Sequence, residues 1–256
     1  MKKYELSKQK NIRDLGGMKT KDGHTIKYGR IFRGGSLASV SEEDIPILDS
    51  LHITDVVDLR GEDEFVYRPD FRLKGVSYHN FPALYEKVKE KDRNKDDGNL
   101  LWFVDDHMSG HDHLKNCYAS FIKEPISLIA YTNFFKLLEE DNKVIYFHCS
   151  QGKDRVGFGA YLLEILLGVS QEDAIEDYLL SNVAMKERVG RLVKSVENKP
   201  YYNEKYHQSL LDVFAAKIEY IEESIKTMNE LYGSAENFAR EALHVDIDRL
   251  KQLYLE

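Results

Sequence analysis

Cysteine, tryptophan and proline are all scarce in this chain of 256 residues, with two, one and five copies. The two cysteines, Cys117 and Cys149, are too few for a disulfide framework and are typical of a reducing compartment. No apolar run follows the N-terminal lysines, so the sequence predicts no signal peptide. The longest apolar stretch, residues 161–169, contains Glu164 and is too short to span a bilayer. We therefore expect a cytoplasmic protein with no integral membrane segment, although export without a cleaved signal would leave no trace in the sequence.

An excess of positive charge is also lacking. The chain has 36 Lys and Arg residues against 44 Asp and Glu residues, a formal net charge of −8. Non-specific binding of nucleic acid needs a basic surface, so we expect no nucleic-acid partner. The apolar share of 42% and the charged share of 31% are ordinary for a globular protein and exclude a disordered or fibrous chain. We expect one domain, residues 1–256, in which a locally positive pocket can still bind phosphate.

Strand-like and helix-like segments alternate along the chain. Residues 53–59 and 143–148 combine β-branched and apolar residues and predict buried strands. A capping box at Ser170 begins one predicted helix, and another runs from about Arg155 to Gly168. Strands separated by helices indicate an α/β fold, in which helices flank a central, mainly parallel sheet and further helices follow at the C-terminus.

The segment from residue 85 to about 130 differs from its surroundings. Residues 87–97 are nearly all charged, and a patch rich in Asp and His follows at 105–113. We expect an insertion here, a helical lid over the core. The three histidines of the patch match no common zinc spacing, so we expect no metal site.

The residues with the most chemistry form the segment His148-Cys-Ser-Gln-Gly-Lys-Asp-Arg155, between a predicted strand and a predicted helix. A loop of this kind can turn its backbone N–H groups inward, and the start of the helix adds a partial positive charge. Arg155 can then grip two phosphate oxygens, and the positive field favours the thiolate form of Cys149. Such a thiolate is placed for in-line displacement at phosphorus. The expected phosphate-binding residues are Ser150, Gln151, Gly152, Lys153, Asp154 and Arg155.

Other interpretations of this loop explain fewer of its residues. A nucleotide-binding P-loop needs a glycine where Phe147 stands and a Ser or Thr where Asp154 stands. A cysteine protease pair fails because His148 and Cys149, neighbours in a strand, point to opposite faces. A zinc site lacks a second cysteine nearby. A plain buried cysteine leaves the Gly, Lys, Asp and Arg of the next six positions unexplained.

Residues 148–155 resemble the His-Cys-x5-Arg signature of cysteine-dependent protein tyrosine phosphatases. The inner Gly-Lys-Asp-Arg is similar to the bacterial atypical branch, whose members act on phosphotyrosine and often on phosphoinositides. The resemblance extends over about residues 11–254. Further similar blocks are Asn11-Ile-Arg-Asp-Leu-Gly-Gly17, Phe32-Arg-Gly-Gly-Ser-Leu37, Val57-Asp-Leu-Arg60 and Tyr232-Gly-Ser234.

The resemblance implies a metal-independent phosphatase that hydrolyses phosphomonoesters through a cysteinyl-phosphate intermediate. Cys149 would attack phosphorus, Arg155 would stabilise the transferring group, and water would then release inorganic phosphate. No metal or organic cofactor is implied. The favoured substrate is phosphotyrosine in a protein, and the alternative is a phosphoinositide bound by the same loop. Lys153 could contact a second phosphate of such a lipid or lie solvated at the rim of the loop.

The general acid is less well defined. Tyrosine phosphatases generally use an aspartate on an upstream loop, but this chain has no Trp-Pro-Asp triplet, and Trp102 is followed by Phe and Val. In the atypical branch the loop aspartate, here Asp154, is the usual candidate, although two flanking cations favour its ionised form. Asp58 is an alternative acid, or else a structural carboxylate paired with Arg60.

One position departs from the family pattern. Many members have a Ser or Thr after the arginine, where it stabilises the departing thiolate, whereas this chain has Val156. The departure predicts slow hydrolysis of the phosphocysteine. It also leaves open an alternative of another class, a catalytically weak phosphate-binding module, which the intact Cys149, Asp154 and Arg155 oppose.

Overall fold

A computed structural model of the chain describes residues 2–9, 11–84, 108–200 and 202–256. Within them, six strands form one mixed sheet in the order β1-β2-β3-β6-β4-β5. The strands are β1 (Lys3–Tyr4), β2 (Ile12–Asp14), β3 (Ile31–Gly35), β4 (Asp55–Asp58), β5 (Ser77–Asn80) and β6 (Ile145–Cys149). β3, β6, β4 and β5 are parallel, whereas β1 and β2 add an antiparallel edge. The predicted α/β fold with a mainly parallel sheet is therefore confirmed.

Helices cover both sides of this sheet. A short 3-10 turn, Glu42–Asp44, precedes the first of them. The α-helices of the described residues are α1 (Ile45–Asp49), α2 (Glu62–Tyr67), α3 (Gly110–Lys123), α4 (Pro125–Leu138), α5 (Arg155–Leu167), α6 (Gln171–Leu179), α7 (Ser181–Val196), α8 (Glu204–Phe214), α9 (Ile218–Tyr232), α10 (Ala235–Glu241) and α11 (Ile247–Tyr254). No helix among these residues has the length and the apolar surface needed to cross a membrane.

The two predicted strands lie in the middle of the sheet, as β4 and β6. Every residue of both strands is buried, which is typical of parallel strands that are covered on both faces. The helix that follows β6 begins at Arg155 and ends at Gly168, whose φ of 95° is left-handed. Glycine adopts this conformation without strain, so both predicted ends of the helix are confirmed.

The side chains of β6 alternate between the two faces of the sheet. Ile145, Phe147 and Cys149 belong to the larger apolar cluster, which contains α5 and the C-terminal helices. Tyr146 belongs to a smaller cluster on the other face, and the ring of His148 stacks on it with centroids 5.7 Å apart. His148 and Cys149 therefore point away from each other, as expected for neighbours in a strand.

Only the second part of the expected lid, residues 85–130, lies within the described part of the chain. From Gly110 onward the chain forms α3, whose side chains Leu114, Tyr118 and Phe121 are buried in the larger cluster. This part of the segment belongs to the core and positions the site. Residues 85–107 lie outside the described part of the chain, so a lid there stays a prediction.

Candidate active site

Cys149 is the last residue of β6, the central strand of the parallel part of the sheet. It pairs with Gly35 of β3, and the preceding His148 pairs with Asp58 of β4. The thiol-bearing residue is 2% exposed. The segment that follows leaves the carboxyl end of the strand, where α/β proteins place their ligands. The predicted position of this loop is confirmed.

The loop is held from its outer side by two N-terminal residues. Asn11 Nδ2 donates to the carbonyl oxygens of Gln151, at 2.9 Å, and Gly152, at 3.1 Å. Arg33 Nη2 donates to the same Gly152 oxygen at 3.1 Å. Gly152 has a φ of 70°, and a Cβ atom there would lie 2.4 Å from the backbone of Gly34. Only glycine fits this close approach, so the loop is anchored at its middle.

With the carbonyl groups held outward, the amide groups of the loop are available on the other side. Within the described ranges, no acceptor of the protein bonds the N–H groups of Gln151, Gly152, Lys153 or Asp154. The first turn of α5 begins directly afterwards at Arg155 and adds its own partial positive charge. Such an arrangement can bind an anion of the size of phosphate.

The support behind the loop is a buried ion-pair network. Arg13 donates from Nε to Asp177 at 2.6 Å and from Nη1 to Asn11 at 2.6 Å. Arg33 reaches the other oxygen of the same carboxylate. Burial alone would raise the pKa of Asp177, but the two guanidinium groups lower it to about 2. The ionised carboxylate thus fixes both arginines, and through them Asn11 and Gly152.

Arg155 is held by a residue that the sequence did not suggest. Both terminal nitrogens of its guanidinium donate to the carboxylate of Glu64 on α2, Nη2 at 3.1 Å. The hydroxyl of Ser150 and the N–H of Gly61 donate to the same carboxylate. Burial opposes ionisation of Glu64, but the charge and hydrogen bonds of Arg155 lower its pKa to about 2. The one local signal was the spacing Gly61-x-x-Glu64, which is typical of a helix start.

The structure brings Asp154 into contact with two residues. Its Oδ1 accepts a hydrogen bond from the phenol of Tyr118 at 3.0 Å and lies 2.8 Å from Lys153 Nζ. Lys153 is 2% exposed, and its ammonium also donates to the carbonyl oxygens of Val213, at 2.7 Å, and Ala215, at 3.1 Å. The prediction of a solvated lysine at the rim is therefore wrong. Three acceptors of the protein already surround this ammonium.

Asp58 lies in an ion pair behind the loop. Arg60 donates to both of its oxygens, from Nε to Oδ1 at 2.9 Å and from Nη2 to Oδ2 at 2.7 Å, and also to Asp70 at 3.0 Å. Nε2 of His148 lies 3.0 Å from the same Asp70. Burial would lower the pKa of His148, but the two carboxylates raise it. This geometry favours the structural interpretation of Asp58, because its carboxylate shares the Arg60 guanidinium with Asp70.

Fold and site together define a class of protein. A mainly parallel α/β sheet with a buried cysteine at the end of its central strand, an amide-lined loop and an arginine six residues after the cysteine is the architecture of a phosphatase. The comparison with family models gives the particular assignment. Residues 4–256 match the tyrosine phosphatase family. The chain belongs to that family and is an enzyme, as its sequence predicts.

Two relatives agree with the assignment. A Cupriavidus necator protein named as a candidate tyrosine-protein phosphatase is 28% identical over 264 residues, which cover 96% of this chain and 85% of the relative. The triple specificity protein phosphatase PtpB of Mycobacterium tuberculosis is 25% identical over 263 residues, 93% of each chain. Among solved structures, Pseudomonas aeruginosa TpbA in complex with pTyr matches over 90% of this chain and 88% of its own, with 14% identity and a TM-score of 0.31.

Proposed function

We propose that this enzyme hydrolyses phosphotyrosine in proteins through a cysteinyl-phosphate intermediate, with Cys149 as the nucleophile. The observation that carries the proposal is the position of the thiol at the base of the loop, between the end of β6 and the start of α5. A phosphoryl group bound by the loop amides and by Arg155 would lie against the sulfur, in line for displacement.

The reaction proceeds in two steps. In the first, the thiolate of Cys149 forms a bond to phosphorus while the bond from phosphorus to the tyrosine oxygen breaks. Asp154 gives its proton to that oxygen, and Arg155 stabilises the charge on the equatorial oxygens. In the second, water attacks phosphorus, Asp154 takes a proton back, the S–P bond breaks and inorganic phosphate leaves. No metal ion or organic cofactor takes part in either step.

The choice of substrate rests on Lys153 and on the relatives. The phosphoinositide alternative drew its residue-level support from a lysine free to contact a second phosphate, whereas this ammonium is buried among three acceptors. Both relatives are named as protein phosphatases. We therefore rank a phosphotyrosyl protein above a phosphoinositide as the partner, and we rank an enzyme above a weak phosphate-binding module.

The same proposal includes the domain organisation of the chain and the location of the protein in the cell. We infer that residues 1–256 act as one domain, because one apolar cluster contains residues from Leu15 to Tyr254. We infer a cytoplasmic location from the two free cysteines. The net charge of −8 supports the absence of a nucleic-acid partner.

The test is the release of phosphate, with a chelator present, from a phosphotyrosyl peptide, a phosphoseryl peptide and monophosphorylated phosphoinositides. Wild type is compared with Cys149→Ser and with Cys117→Ser, which removes the other, half-buried thiol. We expect the phosphotyrosyl peptide to be the best substrate and only Cys149→Ser to abolish turnover.

Each part of the proposal has its own contradicting result. Activity retained by Cys149→Ser would reject the nucleophile, and a faster reaction with a phosphoinositide would reverse the order of substrates. Vanadate or phosphate binding by wild type without turnover on any substrate would reject hydrolysis itself.

A further inference from the structure

The two oxygens of the Asp154 carboxylate have different surroundings. Oδ1 accepts from the Tyr118 phenol at 3.0 Å and lies 2.8 Å from Lys153 Nζ. Oδ2 has no hydrogen-bond or ion-pair partner in the described part of the chain, and the side chain is 27% exposed. A carboxyl group held in this way has one oxygen fixed and one free for proton exchange.

We propose that Tyr118 is a positioning residue, which, together with Lys153, fixes Asp154 so that Oδ2 is the oxygen that exchanges protons with the leaving group and with water. This inference rests on the proposed function and adds a residue to it. Tyr118 lies on α3, 36 positions before Asp154, and would itself touch neither the substrate nor the reacting atoms.

Tyr118 is suited to donate to this carboxylate. It is fully buried, and burial together with the negative charge of Asp154 raises its pKa well above the usual range, so it stays a neutral phenol. Its oxygen lies 2.8 Å from the hydroxyl of Tyr178 on α6. A phenol has one proton and a carboxylate only accepts. Because Tyr118 uses its one proton in the hydrogen bond to Asp154, Tyr178 is the donor in the hydrogen bond between the two phenols.

Both groups on Oδ1 are fixed in turn. The ring of Tyr118 packs against Phe121 and Tyr220, with centroids 5.2 and 5.9 Å away. The ammonium of Lys153 is held by two carbonyl oxygens at the end of α8, those of Val213 and Ala215. Two separate helices thus hold one oxygen of the acid, which restricts rotation of the carboxyl group about its Cβ–Cγ bond.

The chemistry follows from this restraint. In the first step, the proton on Oδ2 moves to the leaving oxygen as the P–O bond breaks, and the resulting carboxylate is stabilised by the phenol and the ammonium. In the second step, Oδ2 takes a proton from the attacking water as the new P–O bond forms and the S–P bond breaks. The acid returns to its starting form, and Tyr118 neither gains nor loses a proton.

The proposal predicts an effect that depends on the leaving group. A phenolate of a weakly acidic phenol needs a proton to depart, whereas dinitrophenolate leaves without one. We therefore expect Tyr118→Phe to lower kcat/KM for phenyl phosphate by about 10-fold more than for dinitrophenyl phosphate. General acid catalysis as a whole contributes roughly 100-fold or more, and loss of a positioning residue removes only part of it. The ring is kept, so its packing is preserved.

A double-mutant cycle separates this role from a structural one. If Tyr118 acts through Asp154, Tyr118→Phe adds no further loss to Asp154→Asn on phenyl phosphate. Tyr254→Phe is the matched control, because Tyr254 is also fully buried and donates its hydroxyl proton to a backbone carbonyl, that of Leu138, at 2.9 Å. We expect the control to lose stability without any change in the dependence on the leaving group.

Two results would overturn the inference alone. One is an equal loss on both aryl phosphates, and the other is a loss in Tyr118→Phe that adds in full to that of Asp154→Asn. Failure of the proposed function looks different, because wild type would then turn over neither substrate or Cys149→Ser would remain active, and the inference would fall with it.

Discussion

Glu64 and Arg155, 91 positions apart, form a two-point ion pair beside the loop that follows Cys149. Glu64 belongs to a short helix after β4, and Arg155 begins the helix after β6, so two neighbouring parallel strands deliver them to one edge of the sheet. The same carboxylate accepts from Ser150 within the loop. The pair therefore fixes the direction of the guanidinium relative to the loop that follows Cys149.

Removal of the negative charge of Glu64 should make the position of the Arg155 guanidinium less well defined. Glu64→Gln keeps the shape of the side chain but replaces a charge-assisted pair by weaker hydrogen bonds. We expect kcat/KM on a phosphotyrosyl peptide to fall by about 10- to 100-fold, because small displacements of a catalytic group are costly. Val66→Ala, on an exposed position of the same helix, serves as the control and should keep the wild-type rate. An unchanged rate in Glu64→Gln would show that the pair does not position Arg155.

The same substitution has a signature in the pH dependence of stability. The pKa of Glu64 is lowered from the usual 4.5 to about 2 in the folded protein, so its contribution is complete above about pH 4.5 and declines as the pH falls toward 2. The difference in free energy of unfolding between wild type and Glu64→Gln, roughly 3 kcal/mol for a broken buried pair, should narrow over that interval. Urea unfolding at several pH values measures it, and a constant difference would contradict the assignment.

The close approach of Gly152 to Gly34 gives a second prediction, with a matched control in the chain. Gly152→Ala places a Cβ atom 2.4 Å from the backbone of Gly34, at a φ of 70°. Gly23 has a similar φ of 92°, with open space around it. We expect Gly23→Ala to cost about 1 kcal/mol and to leave activity intact. Gly152→Ala should cost more than that and abolish turnover, because the loop must shift.

Thermal unfolding and initial rates on the two alanine variants measure these effects. Equal losses of stability, with activity retained in both, would mean that the loop tolerates a displacement at Gly152. It would then follow that the anchoring by Asn11 and Arg33 does not define the shape of the anion site.

Local patterns predicted the part of the site that is contiguous in sequence. The strand before Cys149 is an apolar run, the helix after Arg155 has a glycine at its end, and the five residues between them contain the donors. These features depend on neighbouring residues and need no knowledge of the tertiary fold. The antiparallel edge was missed because β1 and β2 have two and three residues, too few for a period of two to be visible.

Residues that act from a distance were not predictable in the same way. Asn11 bonds the loop across 140 positions, and Tyr118 reaches Asp154 across 36. No local sequence pattern indicates the partner of either side chain, because the packing of whole helices and strands determines which residues come into contact. The alternative of a solvated Lys153 is wrong for this reason, because carbonyl oxygens at the end of α8 cover its ammonium.

The burial of Lys153 leads to a prediction about substrate preference. Lys153→Met removes a buried cation, leaves two carbonyl oxygens without their donor and leaves Asp154 with only the Tyr118 phenol, so the free energy of unfolding should fall by about 3 kcal/mol. Activity should fall by the same factor on a phosphotyrosyl peptide and on a doubly phosphorylated phosphoinositide. Paired initial rates test this, and a selective loss on the lipid would show that the ammonium contacts a second phosphate after all.

Val156 is the residue whose effect on turnover is most direct to measure. It is fully buried in the first turn of α5 and belongs to the same apolar cluster as Cys149. Apolar side chains cannot donate a hydrogen bond to the departing thiolate, so hydrolysis of the phosphocysteine should limit the rate. Rapid-quench kinetics on an aryl phosphate should show a burst of phenol close to one equivalent per enzyme.

Val156→Thr supplies a hydroxyl at this position in a side chain of similar volume. We expect Val156→Thr to raise steady-state turnover and to reduce the amplitude of the burst. The free energy of unfolding should fall by about 1–3 kcal/mol where the buried hydroxyl has no hydrogen-bond partner. Val156→Ala is the control, since it makes room without adding a donor and should not accelerate the second step. If wild type shows no burst and Val156→Thr turns over no faster, the first step limits the rate, and the hydrolysis of the intermediate does not depend on a hydroxyl after the arginine.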